Sequence, residues 1–506
     1  MTLDELLEHL AVHDVRLTGT GDVLHYDAPA AASGPELVAA LRSYKGELLR
    51  WLTAPADERE VTRAPLSAQQ ERVMEVAARS AHPASWNVGL RMELVGELDV
   101  AALDAALDGL VARHHALRAR LARDGGAWTQ RILAHRSVPL PIVELTALAP
   151  DAARRRAEVV CQELVATAFT PAHDAPVRYA LIRLAPGESW LVLVLHHVAC
   201  DGRAVTVLLR ELAVGYRTAR DHGSPDFGPP AATQCTDYAR WQQGQWDEST
   251  RRRRLAYWAE HLGDGPLALE LPFDRPAPRQ PSGQAATCRF EIPRPVRSAV
   301  EALARDRGVT VTAVTAAALA LLFARLSGQP DITLSMPYAN RSPQAYEDTV
   351  TVLATALPVR IRTGAAATFA QLVGQAADGL FAGIDNLLPT AWIYQQLATA
   401  GRDAAGRDAA PAGMTVSFAF QSTFDTRIDL PDLTVQVHEV PAGVGRTALI
   451  IALVPGPDGI DGYLEYPVDR IADGTARRWM AGYVDLLATA CGGAHHPLAD
   501  LRGSLV

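Results

Sequence analysis

A chain of 506 residues exceeds what one hydrophobic core usually organises, so more than one domain is expected. Hydrophobic residues at 48% and charged residues at 21% exclude a disordered or fibrous chain, and a net charge of -9 argues against nucleic-acid binding, which normally leaves a basic patch. The cysteines (Cys161, Cys200, Cys235, Cys288, Cys491) are odd in number and form no C-x-x-C pair, so neither a disulfide framework nor a metal site is expected, and a reducing, cytoplasmic setting fits.

The N-terminus "MTLDELLEHL" lacks a basic region, a long apolar segment and a cleavage site, so no export signal is expected. Its Leu3, Leu6, Leu7 and Leu10 recur at helical spacing. "VRLTGTGDVLHYDAP" then reads as two short strands around a glycine-containing turn, and "GPELVAALRSYKGELLRWL" is again helical. Residues 1–53 thus read as helix, β-hairpin and helix. The polar stretch "TAPADEREVTRAP" carries two prolines and predicts a linker over 54–64, leaving 1–53 as a separate module.

From Leu66 onward strands and helices alternate. "NVGLRMELVGELD" alternates like a strand, "DVAALDAALDGLVARHHAL" is helical, and "VRYALIRLAPGESWLVLVLHH" reads as a hairpin. A helix follows Gly202, with Val205, Leu208, Leu209, Leu212 and Tyr216 on one face. The run Arg251–Arg254 reads as a solvated helix face. Segments rich in Pro and Gly, "DHGSPDFGPPAATQ" and "PFDRPAPRQPSG", separate this part from a second with the same logic: strand "CRFEIP", helices "PVRSAVEALARDRG" and "TVTAVTAAALALLFARLSG", strand "DITLSMP". An α/β (α+β) chain with two lobes, 65–285 and 286–506, is expected. The longest apolar run, "VTAVTAAALALLFA", is too short for a membrane span.

The stretch "WLVLVLHHVACDG" carries the chemistry. A strand without polar alternation is buried on both faces, so His196 and His197 come where the chain leaves the middle of a sheet. Successive strand residues point to opposite faces, so one ring faces a working cavity while the other packs inward. Asp201 and Gly202 fall at a strand-to-helix junction, with a glycine and a helix N-terminus at hand. This pattern suits a general base, and equally two histidines and an aspartate that only cap a strand. No G-x-S-x-G elbow supports a serine hydrolase, and adjacent histidines chelate one zinc ion poorly.

"HHVACDG" (196–202) resembles the H-H-x-x-x-D-G signature of nonribosomal peptide synthetase condensation domains. Other blocks follow in the family's order: "PLSAQQERVM" (65–74), "ARHHALRARL" (112–121), "TDYARWQ" (236–242), "LSMPYANR" (334–341) and "LEYPVDRI" (464–471). Residues 1–53 resemble the docking domain of tubulysin-type assembly lines through "RLTGTGDVLHYDAP" (16–29).

The resemblance implies two chloramphenicol-acetyltransferase-like lobes in a V-shaped pseudo-dimer, plus the small helix/β-hairpin/helix docking domain. It implies amide-bond formation between a donor acyl thioester on an upstream carrier protein and an amine acceptor, either a small molecule or one held on a second carrier protein. The chain itself would bind no cofactor, the substrates riding on phosphopantetheine of the carriers, and no nucleic acid or membrane partner is implied. His197 would abstract or steer the proton, with His196 beside it, while Asp201 pairs with Arg341 and Gly202 lets the donor arm approach. Residues 1–53 would receive the upstream synthetase subunit, with Arg16, Leu17, Val23, Leu24, Tyr26, Arg42 and Lys45 as docking residues. Ester formation, epimerisation and a noncatalytic recruiting role are the alternatives on the same fold. The chain departs from the family pattern at His115 (usually Glu), Ala204 (usually Ser), Met74, where an aromatic is expected nearby, Thr355 (usually Asn) and "DNLLPTA" (385–391). No adenylation or carrier segment is recognised, so a free-standing enzyme or an excised piece is expected.

Overall fold

The computed structural model describes residues 3–13, 15–20, 23–29, 34–53, 59–263, 265, 267–399, 415–421, 428–443 and 448–501. The chain divides into two compact units, one of residues 1–245, 341–353 and 424–442, the other of 246–340, 354–423 and 443–506.

The first unit opens with α1 (Leu3–Val12), the hairpin β1 (Arg16–Thr20) and β2 (Val23–Asp27), and helices α2 (Pro35–Ser43) and α3 (Lys45–Thr53). Leu6, Leu7, Leu10, Leu37, Leu41 and Leu48 close a small core. Next come β3 (Glu60–Pro65), α4 (Ala68–Ala77), β4 (Asn87–Gly96), α5 (Val100–Arg113), β5 (Ala119–Asp124), β6 (Ala127–Leu133) and β7 (Ile142–Glu144). The run continues with α6 (Pro150–Ala166), β8 (Val177–Ala185), β9 (Glu188–His196), α7 (Gly202–His222) and α8 (Cys235–Gln243).

The stretch read as a linker does not separate two cores. Strand structure begins inside it at Glu60, β3 pairs with β6, and Val61, 3% exposed, packs into the same core as Leu6 and Leu48. Trp51 Nε1 donates to the Glu60 carbonyl at 2.8 Å and Arg59 donates to the Leu52 carbonyl at 2.6 Å. The alternation around Val61 spans too few residues, among polar neighbours, to stand out as a strand.

The second unit holds α9 (Glu248–Leu262), β10 (Ala285–Pro293), α10 (Arg294–Arg307), α11 (Val311–Ser327), β11 (Asp331–Tyr338), β12 (Thr355–Arg362), α12 (Phe369–Asp385) and α13 (Thr390–Thr399). It also holds β13 (Thr415–Phe420), β15 (Ala448–Pro455), β16 (Gly459–Pro467) and α14 (Asp473–Gly492), whereas β14 (Leu433–Val440) belongs to the first unit. Its six-stranded sheet runs β10-β16-β15-β13-β11-β12. No single helix among the described residues is long and apolar enough to cross a membrane; α10 and α11 pass such a test only together across a bend of 111°, and α11 is a core helix of this unit.

The boundary expected at 285/286 is therefore corrected. The helix α9 with Trp258 and Leu262 already belongs to the second core, and two later segments return to the first unit. One of them supplies β14, which pairs antiparallel with β4 at the edge of the sheet β14-β4-β9-β8-β7. Local periodicity marks β14 as a strand but carries no information on which distant sheet it joins.

Strand β9 runs through this five-stranded sheet with helices on both sides. Leu191, Leu193 and Leu195 enter the core shared with α5 and α7, while Trp190, Val192 and Val194 enter the one shared with α6. Burial on both faces explains the unbroken apolar run.

Candidate functional site

The alternation along β9 decides where the two histidines go. His196 continues the even-numbered face: it is 3% exposed and meets Phe169 edge-on at 6.0 Å. Its Nδ1 accepts the Val198 N–H at 3.2 Å, which places the ring proton on Nε2. Burial, then the nearby charges of His197 and Arg178, lowers its pKa to about 3, so it stays neutral. His196, expected beside His197 as a catalytic residue, is thus a buried ring tied into the turn by the Val198 N–H.

His197 lies on the other side and is half-buried. Its Nδ1 sits 2.7 Å from the Cys200 carbonyl, which can only accept, so Nδ1 carries a proton and, in the neutral ring, Nε2 carries the lone pair. Its backbone N–H donates to the Trp86 carbonyl at 2.8 Å, and the two rings lie 5.8 Å apart. A half-buried imidazole with a fixed tautomer and a basic Nε2 can accept a proton from a reacting group.

Asp201 is the N-cap of α7. Its Oδ1 accepts the Ala204 N–H at 2.9 Å and the Arg341 guanidinium at 2.6 Å, and its Oδ2 accepts the Leu353 N–H at 2.9 Å. Arg341 and Leu353 are the first and last residues of the returning segment, so one carboxylate holds both ends. The other Arg341 amino group donates to the carbonyls of Tyr346 and Glu347 at 3.2 Å and of Thr349 at 2.6 Å. Arg203 and Arg210 of α7 grip Asp348 of the same segment at 2.9 and 3.0 Å. Gly202 is the first residue of α7 and is exposed.

Three other blocks of the sequence, "PLSAQQER", "TDYARWQ" and "ARHH", tie elements of the first unit together. Ser67 and Gln70 of "PLSAQQER" form the capping box of α4, and Gln242 of α8 bonds to Ala68 and Gln69. Tyr238 and Trp241 of "TDYARWQ" each lie 5.2 Å from the Tyr346 ring. In "ARHH", Arg113 and His114 bond Glu211 of α7 at 3.2 and 2.6 Å. His115, in place of the family's Glu, is buried against Thr236, and burial holds its pKa well below the ordinary value. Ala204 and Met74 are core residues, and Thr355 is buried beside Thr390.

The hairpin residues expected to dock a partner do not share one face. The hairpin register pairs Leu17 with Tyr26 and Gly19 with Leu24, so Leu17, Leu24 and Tyr26 lie on one face and Val23 on the other. Leu17 and Leu24 pack onto the small core, while Val23 is 51% and Tyr26 42% exposed. Arg42 and Lys45 are exposed; Arg16 lies on β1 and its side chain is outside the described residues. Among the described residues no cluster of three or more His, Cys, Asp or Glu could hold a metal ion.

Sequence reasoning did not single out Trp86, the Cys200 carbonyl or the Leu353 amide. The signal for Trp86 was its place directly before a strand, unreadable without the pairing partner.

A family model described as Condensation domain matches residues 60–502, and one described as TubC N-terminal docking domain matches 3–53. The chain is 32% identical over 462 residues to the nonribosomal peptide synthetase CymA of Salinispora arenicola, covering 88% of this chain and 6% of that protein. It is 32% identical over 440 residues to a dimodular nonribosomal peptide synthase of Bacillus subtilis, covering 84% and 18%. The chain thus spans less than a fifth of either relative. Among solved structures it is similar to the X-domain from teicoplanin biosynthesis, with a TM-score of 0.76, 26% identity and coverage of 87% of this chain and 97% of that one.

Proposed function

The chain belongs to the condensation-domain family of nonribosomal peptide synthetases, with a chloramphenicol-acetyltransferase-like fold and a TubC-type docking domain at its N-terminus, and on that premise we propose that it joins a carrier-bound acyl thioester to an amine. The observation that carries this reading is the half-buried His197 imidazole at the end of β9, whose Nδ1–H is tied to the Cys200 carbonyl so that the neutral ring has its lone pair on Nε2.

In the proposed reaction the acceptor amine attacks the thioester carbonyl carbon, forming a tetrahedral intermediate with an oxyanion and an ammonium. Nε2 of His197 takes the ammonium proton as the intermediate collapses. The carbon–sulfur bond breaks, and the proton passes to the departing pantetheine sulfur, giving an amide and a free thiol. A positioned base of this kind contributes roughly two to four powers of ten, and holding amine and thioester together contributes the rest. Residues 1–53 recruit the upstream subunit that brings the donor carrier protein. Asp201 and Arg341 keep the loop in place and take no part in proton transfer.

A noncatalytic recruiting role is the second reading, favoured by the likeness to the teicoplanin X-domain. Transfer of an acyl group from a loaded donor carrier to an acceptor amine, followed by mass spectrometry, decides between the two.

A further inference from the structure

The antiparallel register of β4 and β9 ends at the pair Asn87 and His196, so Trp86 and His197 occupy the next place along the same ladder. The His197 N–H to Trp86 carbonyl bond at 2.8 Å continues that ladder by one step. Directly opposed residues put their side chains on the same face, and the indole and imidazole accordingly meet at 5.8 Å with an interplanar angle of 54°. The indole is itself fixed: Trp86 is 7% exposed and packs in the core that contains Leu195, Val198 and Ala199.

We propose that Trp86 is the positioning residue for His197, the indole and the Cys200 carbonyl together fixing the direction in which Nε2 points. The Cys200 carbonyl sets the proton on Nδ1, and a hydrogen bond at one ring atom does not by itself set the tilt of the ring. The indole on the same face limits how far the ring can swing about that bond. Phe169 stands in the corresponding relation to His196 on the opposite side of the sheet, so each histidine is held by its own aromatic partner. Chemically, a swing that moves Nε2 by about an ångström costs up to roughly a hundredfold in rate.

This inference rests on the proton-transfer role proposed for His197, and its test uses a readout independent of turnover. Diethyl pyrocarbonate acylates the neutral imidazole nitrogen, so its rate of reaction at His197, followed by peptide mass spectrometry across pH, reports the exposure and basicity of Nε2. Trp86→Leu is expected to change this rate several-fold and to lower kcat by roughly ten- to a hundredfold with little change in KM for the carriers. Trp86→Phe, which keeps a ring at the same place, is expected to restore most of both. If Leu prevents folding, Trp86→Met supplies the ring-free side chain. A His197 modification profile in Trp86→Leu or Trp86→Met that superimposes on wild type overturns the inference. An altered profile in an enzyme whose wild type forms no product supports the positioning role and overturns the acyl-transfer reading instead.

Discussion

Asp201 and Arg341, separated by 140 residues in sequence, meet at 2.6 Å with both side chains 4% exposed. The same carboxylate caps α7 at Ala204 and accepts the Leu353 amide, so a single side chain joins the histidine turn to a segment from much later in the chain. Removing it strands a buried guanidinium. Asp201→Ala is expected to destabilise by about 3 to 5 kcal/mol, because the cost of an unpaired buried charge exceeds the worth of the pair itself. Asp201→Asn, which can still accept from Ala204, is expected to lose less. Urea denaturation of the two variants checks this, and a wild-type midpoint for Asp201→Ala contradicts it.

Acid is expected to weaken the fold through its buried histidines. Burial lowers the pKa of His196 to about 3 and that of His261 to about 4, from 6.5. Between these values the unfolded chain binds protons that the folded chain refuses, so stability is complete above the unfolded value and is lost as pH falls towards the folded one. Each such histidine contributes a slope of up to about 1.4 kcal/mol per pH unit in that window. His196→Phe removes one proton from the difference, so the variant should lose less stability than wild type between about pH 7.5 and about pH 5. Equal losses in the two proteins contradict the neutral, buried assignment of His196.

Residues 1–53 are expected to share their stability with the body that follows. Deleting them uncovers Val61, which packs in the same small core as Leu6 and Leu48 and whose burial is worth roughly 1.5 to 3 kcal/mol. The truncated chain should therefore melt several degrees lower, by about 2 to 4 °C per kcal/mol in a body of this size. Val61→Asp in the full chain should reproduce much of the loss. A truncated protein with the wild-type melting curve restores the picture of an independent module. If the segment also docks the upstream subunit, truncation raises the donor-carrier concentration needed for turnover, because docking acts through effective concentration.

What the sequence made legible was local. The run from Trp190 to Leu195 announced a strand buried on both faces, and alternation alone placed His196 and His197 on opposite sides. Asp201 and Gly202 announced a strand-to-helix junction, which the structure shows as the start of α7. What stayed hidden depends on partners far along the chain: β14 joins β4 across more than three hundred residues, and Trp86 becomes a neighbour of His197 only once β4 and β9 are in register. Val61 was hidden for a different reason, as one apolar residue in a short polar strand that completes the core of another module. The docking residues were expected as one group, but the hairpin register separates Val23 from Leu17, Leu24 and Tyr26.

The most direct test of the acyl-transfer reading is intact mass spectrometry of an acceptor carrier protein after incubation with a donor-loaded carrier and the full chain. Wild type is predicted to add the donor acyl mass to the amine on the acceptor in a linkage that resists thiol exchange. His197→Ala is predicted to slow that transfer by at least roughly tenfold with an unchanged melting temperature. Transfer by His197→Ala at the wild-type rate, or an acceptor that gains no mass from wild type, contradicts the account.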